Sequence, residues 1–436
     1  MTSVTPSGRT VGVGVLGCGS VGSALVGILN ERAGPIAVQA GARLSVVGIA
    51  VRDPAAERAS HVPRDLLTSD AKGLVSDPAV EVVVEVIGGL SPAGELVRMA
   101  LEAGKPVVTA NKALLASPEG VELRTLAGER GVDLLYEASV AGAIPLVRVL
   151  RESLTGEHVR RVMGIVNGTT NFILTKMGEQ GADYGEVLAE AQALGFAEAD
   201  PTADVEGFDA AAKAAILAGV AFGYDVADTD VYRQGITAIR AVDVEVAERF
   251  GYVIKLLAIV ERTDDGSLSV RVHPAMLPRE HPLAGVRGAF NAVFIEGEAA
   301  GELMLYGQGA GGLPTASAVV GDLIDAVRNR LAGAAAPVPD RQPPRLLPAS
   351  ELRTPYFVSL DVVDRPGVLA AVAAVFGDHS VSIRSMEQEG IGDEARLLFL
   401  THLAREGSVR DTLEVLDRLD VVERIGAAIR IVGDGG

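Results

Sequence analysis

The stretch VGVGVLGCGSVGSALVGIL, Val11–Leu29, decides how the first third of this 436-residue chain is read. Val11–Leu16 is a short apolar run of strand type. Gly17-Cys18-Gly19-Ser20-Val21-Gly22 follows, and Val21, Leu25, Ile28 and Leu29 then recur at helical spacing. A strand that turns through GxGxxG into a helix brings a pyrophosphate to the helix N-terminus, where free N–H groups and the helix dipole favour an anion. Gly17 permits the tight turn, Gly19 lets phosphate approach the backbone, and Gly22 lets helix and sheet pack closely. Gly17, Cys18, Gly19, Ser20, Val21 and Gly22 are therefore candidate dinucleotide-binding residues. In a chain with 51 glycines the bare pattern also fits a turn without a ligand; the flanking strand and helix favour the dinucleotide.

Outward from this stretch, Leu44–Val51, Val80–Ile87 and Pro106–Thr109 continue an alternation of apolar strands and helical periods. Residues 1–136 are thus expected to form an α/β, Rossmann-type doubly wound parallel sheet, an NAD(P)-binding domain. Ser91 and Pro92 read as N-cap and first residue of a helix. Val51-Arg52-Asp53 closes the second strand. An acid there suits the ribose 2′-hydroxyl of NAD, and an arginine the 2′-phosphate of NADP. Arg52 comes first and favours NADP(H), with NAD(H) possible and an ordinary exposed arginine as the other reading. Gly88, at the same sheet edge, joins the cofactor candidates. Residues 137–312 read as a mixed α/β domain around the alanine-rich helix Ala210–Phe222. A helix over 313–331 is expected to return to the first domain. Residues 332–353 form a Pro/Ala-rich linker. Residues 354–436 follow a βαββαβ order, the ferredoxin-like plait.

Composition narrows the partners. Hydrophobic residues make up 48% and charged residues 22%, a globular balance. The net charge of −18, from 57 acidic and 39 basic residues, argues against nucleic acid or an anionic membrane. The one cysteine, Cys18, allows no intrachain disulfide and favours a reducing, cytoplasmic setting. The opening MTSVTPSGRT has no apolar core, so no secretory signal is expected. No apolar run approaches the ~18 residues of a membrane span.

Two stretches carry chemistry. In Thr109-Ala110-Asn111-Lys112, Lys112 follows an apolar strand and falls at the carboxyl edge of the sheet, where such sheets bind ligands. An ordinary surface lysine is the alternative. In GFAEADPTADVEGFDAAAK, 195–213, five carboxylates fall within twelve residues and a lysine then appears in an alanine-rich helix. Asp209 and Lys213 share a helix face. A solvated acidic loop ending in an i,i+4 pair and a buried functional pair both fit this pattern. The six histidines lie outside these stretches and no HExxH-type metal spacing occurs.

These stretches, together with VVTANKALL (107–115), EASVAGAIP (137–145) and GIVNGTTNFIL (164–174), resemble the homoserine dehydrogenase family over about residues 11–331. The resemblance implies reversible reduction of L-aspartate 4-semialdehyde to L-homoserine by a nicotinamide cofactor, NADPH on the reading of Arg52, on the way to threonine, methionine and isoleucine. It implies that 137–312 carries catalysis and dimerisation. It makes Lys213 the acid/base and Lys112 a second active-site lysine near cofactor and substrate. It gives Glu198 and Asp209 the substrate's amino group, with Asp204 close by, and makes Gly195 and Gly309 part of the cofactor wall. Glu137, Val140, Gly142 and Ile144 match a loop that holds a structural sodium or potassium ion; from the residues alone this is a strand and turn. Val363-Asp364-Arg365-Pro366-Gly367-Val368-Leu369 resembles the ACT domain signature, which implies control by an amino-acid effector, threonine for an aspartate-derived pathway. Asp364, Gly367 and Val381 are the regulatory candidates, and a module that only assists assembly is the other reading. Dimers, or tetramers through paired ACT modules, are implied.

The chemistry agrees with these roles. Hydride arriving at an aldehyde carbon leaves charge on oxygen, which an ammonium stabilises and protonates. Carboxylates suit an α-ammonium. An aldehyde dehydrogenase acting through a thiohemiacetal needs a nucleophilic cysteine, and Cys18 lies inside the phosphate cradle. A non-catalytic protein sensing dinucleotide and amino acid would dispense with Lys213 or the carboxylates, and all are present.

Overall fold

The apolar runs of the first third become six parallel strands: β1 Thr10–Leu16, β2 Arg43–Ala50, β3 Leu67–Thr68, β4 Val82–Glu85, β5 Val107–Thr109 and β6 Leu134–Leu135. Their order is β3-β2-β1-β4-β5-β6. It reverses between β1 and β4, so the carboxyl ends of those two strands flank the crevice where open α/β sheets take ligands. Val82, Val83 and Val84 are all buried, as consecutive residues of a strand covered on both faces must be. Helix Gly312–Ala332 supplies Ala316, Val319, Leu323 and Val327 to the same core as β1 and helix Ser20–Glu31. One boundary differs from expectation. Pro92 takes the cap position, at φ −86° and ψ 8°, so the helix after β4 is Ala93–Glu102 and Ser91 does not cap it.

The structure is a computed structural model and describes residues 8–338, 341, 343–391 and 394–433. The N-terminal residues 1–7 read for a signal, and linker residues 339, 340 and 342, lie outside the described residues. Among the described residues no helix is long and apolar enough to cross a membrane.

The remaining strands are β7 Val159–Ile165, β8 Tyr232–Arg233, β9 Tyr252–Arg262, β10 Leu268–Pro278, β11 Phe290–Gly297, β12 Gly301–Gln308, β13 Arg353–Thr354, β14 Tyr356–Val363, β15 Ile383–Ile391, β16 Glu394–Thr401, β17 Ala404–Arg405 and β18 Val422–Ile431. Nine of them form one sheet in the order β12-β11-β7-β9-β10-β18-β14-β16-β15, and β8 pairs with β10. The C-terminal residues do make a βαββαβ plait, with helices Val368–Asp378 and Glu406–Leu416 and strand order β18-β14-β16-β15. They have their own core of Val358, Leu360, Val372, Phe376, Phe399 and Leu416. Their last strand also extends the middle sheet, with Ala275 of β10 beside Arg430 and Met276 beside Ile431 in parallel register. By contact, the described residues of Met1–His158, Ala215–Asp230 and Leu305–Pro343 form one compact unit, and those of Val159–Ala214, Val231–Met304 and Pro344–Gly436 the other.

In the second unit, helix Gly168–Gln180 is tied to the sheet by a buried lysine. Lys255 of β9 donates to the Val286 carbonyl at 2.6 Å, Asn171 Oδ1 at 2.9 Å and Thr175 Oγ1 at 3.3 Å. Asn171 in turn donates to the Gly288 carbonyl at 2.8 Å. Burial holds the Lys255 ammonium down to about 8, from an ordinary 10.5. The unfolded chain therefore binds more protons between those two values, and this residue's contribution to stability rises with pH across that window. Urea unfolding of wild type and Lys255→Met at about pH 8 and about pH 10 checks this. Wild type should gain on the order of 1–3 kcal/mol relative to the variant; parallel pH profiles would refute it.

Candidate active site

The glycines of the first motif are each required by a close contact or an open approach. Gly17 has φ +101°, and a Cβ there would sit 2.7 Å from the Val86 carbonyl oxygen. A Cβ on Gly22 would sit 2.3 Å from the Gly17 carbonyl oxygen. Gly19 has no atom within 4 Å of a built Cβ, so its side of the loop is open to a ligand. Gly19 caps helix Ser20–Glu31 without a side-chain bond, which leaves the first N–H groups of Ser20, Val21 and Gly22 for an anion. Cys18 is half-buried, and burial pushes its thiol up while the guanidinium of Arg58 beside it pulls the other way. Sequence reading passed over Arg58, which lies on the loop after β2 and reaches the cradle. Arg52 is exposed just past the end of β2. Asp53 accepts the Ala55 N–H at 2.8 Å, a local turn bond.

At the end of β4 a fully buried carboxylate, Glu85, organises two loops. Its Oε1 accepts the N–H of Ile87 at 2.8 Å and of Gly88 at 3.1 Å, and its Oε2 accepts the Thr109 hydroxyl at 2.5 Å. Thr109 Oγ1 accepts the Asn111 N–H at 3.0 Å, and Asn111 Nδ2 donates to the Gly89 carbonyl at 2.7 Å. Asn111 Oδ1 also accepts the Leu114 N–H at 3.1 Å, capping the short helix Lys112–Leu115. Lys112 is exposed at the start of that turn, and Gly88 is exposed at φ +82°. Glu85, Thr109 and Asn111 were missed from sequence. The signal was there: one glutamate inside VVVEVI, where a buried charge needs donors.

In the other unit the acidic stretch folds around Lys213. The Lys213 side chain is 10% exposed, and its ammonium donates to Asp209 Oδ2 at 2.6 Å and to the Val166 carbonyl at 2.6 Å. Asn167 Nδ2 bridges the carboxylates, donating to Asp209 Oδ2 at 2.9 Å and Asp204 Oδ1 at 2.7 Å. Thr169 Oγ1 donates to Asp204 Oδ2 at 3.1 Å. Asn167 is also the N-cap of helix Gly168–Gln180, accepting the Thr170 N–H at 2.9 Å. Of the expected residues the fold thus joins Lys213, Asp209 and Asp204. The pairing is the buried one and not a solvated i,i+4 bridge. Asn167 and Thr169 are the additions, and Asn before Gly-Thr-Thr is a legible cap signal. Glu198 is exposed on the preceding loop, its carbonyl accepting Gln192 Nε2 at 3.0 Å. Gly195 opens that loop at φ +76°.

The loop Glu137–Ile144 is buried apart from Ala143. Glu137 Oε1 and Oε2 accept the N–H groups of Val147 and Arg148, each at 2.8 Å, and burial pushes its carboxyl up. Ala141 and Gly142 are both left-handed, at φ 57° and 56°. A Cβ on Gly142 would lie 2.5 Å from the Gly309 carbonyl oxygen, so two separately nominated residues meet. Among the described residues no group of three His, Cys, Asp or Glu could hold a metal, and Val140, Gly142 and Ile144 offer only main-chain oxygens.

In the C-terminal module a cavity of about 370 Å³ is lined by Asp364, Arg365, Gly367, Leu369 and Gln388. Val381 instead sits in the module's core, 3% exposed, in one apolar cluster with Phe376 and Phe399, its N–H bonded to the Phe376 carbonyl at 2.9 Å.

Family models match three segments: "Homoserine dehydrogenase, NAD binding domain" over 17–137, "Homoserine dehydrogenase" over 145–324 and "ACT domain" over 356–421. The homoserine dehydrogenase of Mycobacterium tuberculosis is 52% identical, covering 98% of this chain and 99% of its own. The crystal structure of a homoserine dehydrogenase from Thiobacillus denitrificans superposes with a TM-score of 0.92 at 41% identity, over 98% of this chain and 99% of that one. A hyperthermophilic archaeal homoserine dehydrogenase in complex with NADPH gives a TM-score of 0.62 at 30% identity, over 76% of this chain and all of that one. With a parallel dinucleotide sheet, a buried lysine among carboxylates and an ACT module in one chain, the protein belongs to the homoserine dehydrogenase family of NAD(P)-dependent oxidoreductases.

Proposed function

We propose that this chain interconverts L-aspartate 4-semialdehyde and L-homoserine with NADP(H) as the preferred cofactor. The observation that carries the reading is the buried Lys213 ammonium, held at 2.6 Å by both Asp209 and the Val166 carbonyl. The bound nicotinamide supplies or accepts the hydride. Lys213 stabilises the oxygen that gains charge and gives it a proton, and it takes that proton back in the reverse direction. Asp209 keeps the ammonium oriented. Asp204 and Asp209, with Glu198 from the exposed loop, offer carboxylates for the substrate's α-ammonium. Lys112 adds positive charge at the sheet edge. Gly17–Gly22 would hold the pyrophosphate, with Gly88, Gly195 and Gly309 as further backbone contacts. The open side of Gly19 and the side-chain-free helix cap fit that role.

NADP(H) is supported by two arginines on the segment after β2, Arg52 just past the strand and Arg58 beside Cys18, and by the archaeal relative solved in complex with NADPH. The loop Glu137–Ile144 fits a structural sodium or potassium ion held by main-chain oxygens of Val140, Gly142 and Ile144 near Glu137, since hard oxygen donors suit such ions. The Asp364–Gly367 cavity fits an amino acid, with threonine the effector expected. The working assembly is a homodimer or homotetramer, with the Rossmann domain at 1–136, the catalytic domain at 137–312 and the regulatory module at 354–436.

Lys213→Ala should lower turnover about 10²–10⁴-fold with cofactor affinity near wild type, because the proton donor is lost. NADPH absorbance followed with aspartate semialdehyde checks this, and wild-type turnover in the variant would remove Lys213 from the chemistry. Arg52→Ala and Arg58→Ala should each raise the KM for NADPH about tenfold while moving that for NADH far less. Equal effects on both cofactors would mean that neither arginine reads the 2′-phosphate. Calorimetric titration of the full chain with L-threonine should show saturable binding that Asp364→Ala weakens at least about tenfold; unchanged binding in the variant would move the effector site elsewhere.

A further inference from the structure

Arg430, near the end of β18, bonds from the C-terminal module to β8 and the segment after it. Its side chain is 3% exposed. Nε donates to Glu406 Oε2 at 2.9 Å and Nη2 to Glu406 Oε1 at 2.5 Å. Nη1 donates to Gln234 Oε1 at 2.8 Å and Nη2 to the Tyr232 hydroxyl at 2.8 Å. Glu406 also accepts the Tyr356 hydroxyl. A buried guanidinium is tolerated only when its donors are satisfied, and its planar fork then fixes the groups around it.

The far side of the Tyr232–Thr237 segment is the acidic turn. The Gln234 N–H donates to the Val272 carbonyl of β10 at 2.8 Å. The Ile236 N–H donates to the Val205 carbonyl at 2.8 Å, and Thr237 Oγ1 to Glu206 Oε1 at 2.9 Å. A Cβ on Gly235 would lie 2.3 Å from the Val205 carbonyl oxygen, so main chain touches main chain with no room for adjustment. A Cβ on Gly207, at φ +80°, would lie 3.2 Å from Arg233 Cγ. Val205, Glu206 and Gly207 fall between Asp204 and Asp209 in the chain, the two carboxylates joined by Asn167 Nδ2.

We propose that Arg430 is a positioning residue for the substrate site. Through Tyr232 and Gln234 it sets the segment 235–237, which holds the Val205–Gly207 turn and thereby the carboxylates of Asp204 and Asp209. The proposal rests on the reading of those carboxylates as the substrate's ammonium site. It extends that reading, because the C-terminal module becomes part of the support of that site. Any ligand that displaces β18 then changes substrate affinity, and substrate changes that ligand's affinity by the same factor.

The test uses the full chain. Tyr232→Phe removes one hydroxyl, and Arg430→Lys keeps the charge but loses the fork. Each should raise the KM for aspartate semialdehyde about fivefold with the KM for cofactor unchanged, and the double variant should be less than additive. A purely stabilising role lowers the melting temperature without moving the substrate KM; that result in Tyr232→Phe, the variant that keeps the buried charge pair, overturns the proposal. Failure of the underlying site reading looks different, since Lys213→Ala would then retain wild-type turnover.

Discussion

A lysine ammonium inside an alanine-lined helix is stable only if fixed oxygen acceptors surround it, and the fold around Lys213 is arranged to supply them. Ala210, Ala211, Ala212, Ala214 and Ala215 are all buried around Lys213. The Val166 carbonyl accepts from Nζ at 2.6 Å. Asp209 provides the counter-charge one turn earlier on the same helix. Asn167 follows Val166 directly and spans Asp209 and Asp204, so one strand-to-helix corner supplies a carbonyl to the lysine and an amide to both acids.

The dinucleotide half solves the opposite problem. Glu85 is a buried carboxyl group held by neutral donors: two backbone N–H groups and the Thr109 hydroxyl. The loops after β4 and β5 take their shape from these bonds. Steric exclusion sets the loop after β1, where Gly17 and Gly22 admit no Cβ. Hydrogen bonds and hard contacts thus play separate parts in one crevice.

The C-terminal module carries its own apolar core and also lends its last strand to the middle sheet. Two parallel pairs between β10 and β18 would be a weak join alone. The bonds of Arg430 to Gln234 and Tyr232 make it a specific one. The ACT module is thus joined through a sheet and a buried guanidinium to the segment behind the acidic turn.

Much of this was readable in the linear chain wherever the determining contacts are local. GCGSVG between an apolar strand and a helical period specifies the cradle, and Asp209 with Lys213 are neighbours by helix geometry alone. The lone glutamate in VVVEVI and the Asn-Gly-Thr-Thr cap carried signals that could have been read and were not. Tertiary structure alone decided that Lys213 is buried rather than solvated, that Arg58 returns to Cys18, that Val381 is core, and that Arg430 meets Gln234 from 196 residues away. The physical reason is one of range. Backbone propensity, capping and glycine sterics act over a few residues and leave a local trace. A hydrogen bond between distant segments depends on where the fold carries each of them, and no short stretch of sequence encodes that.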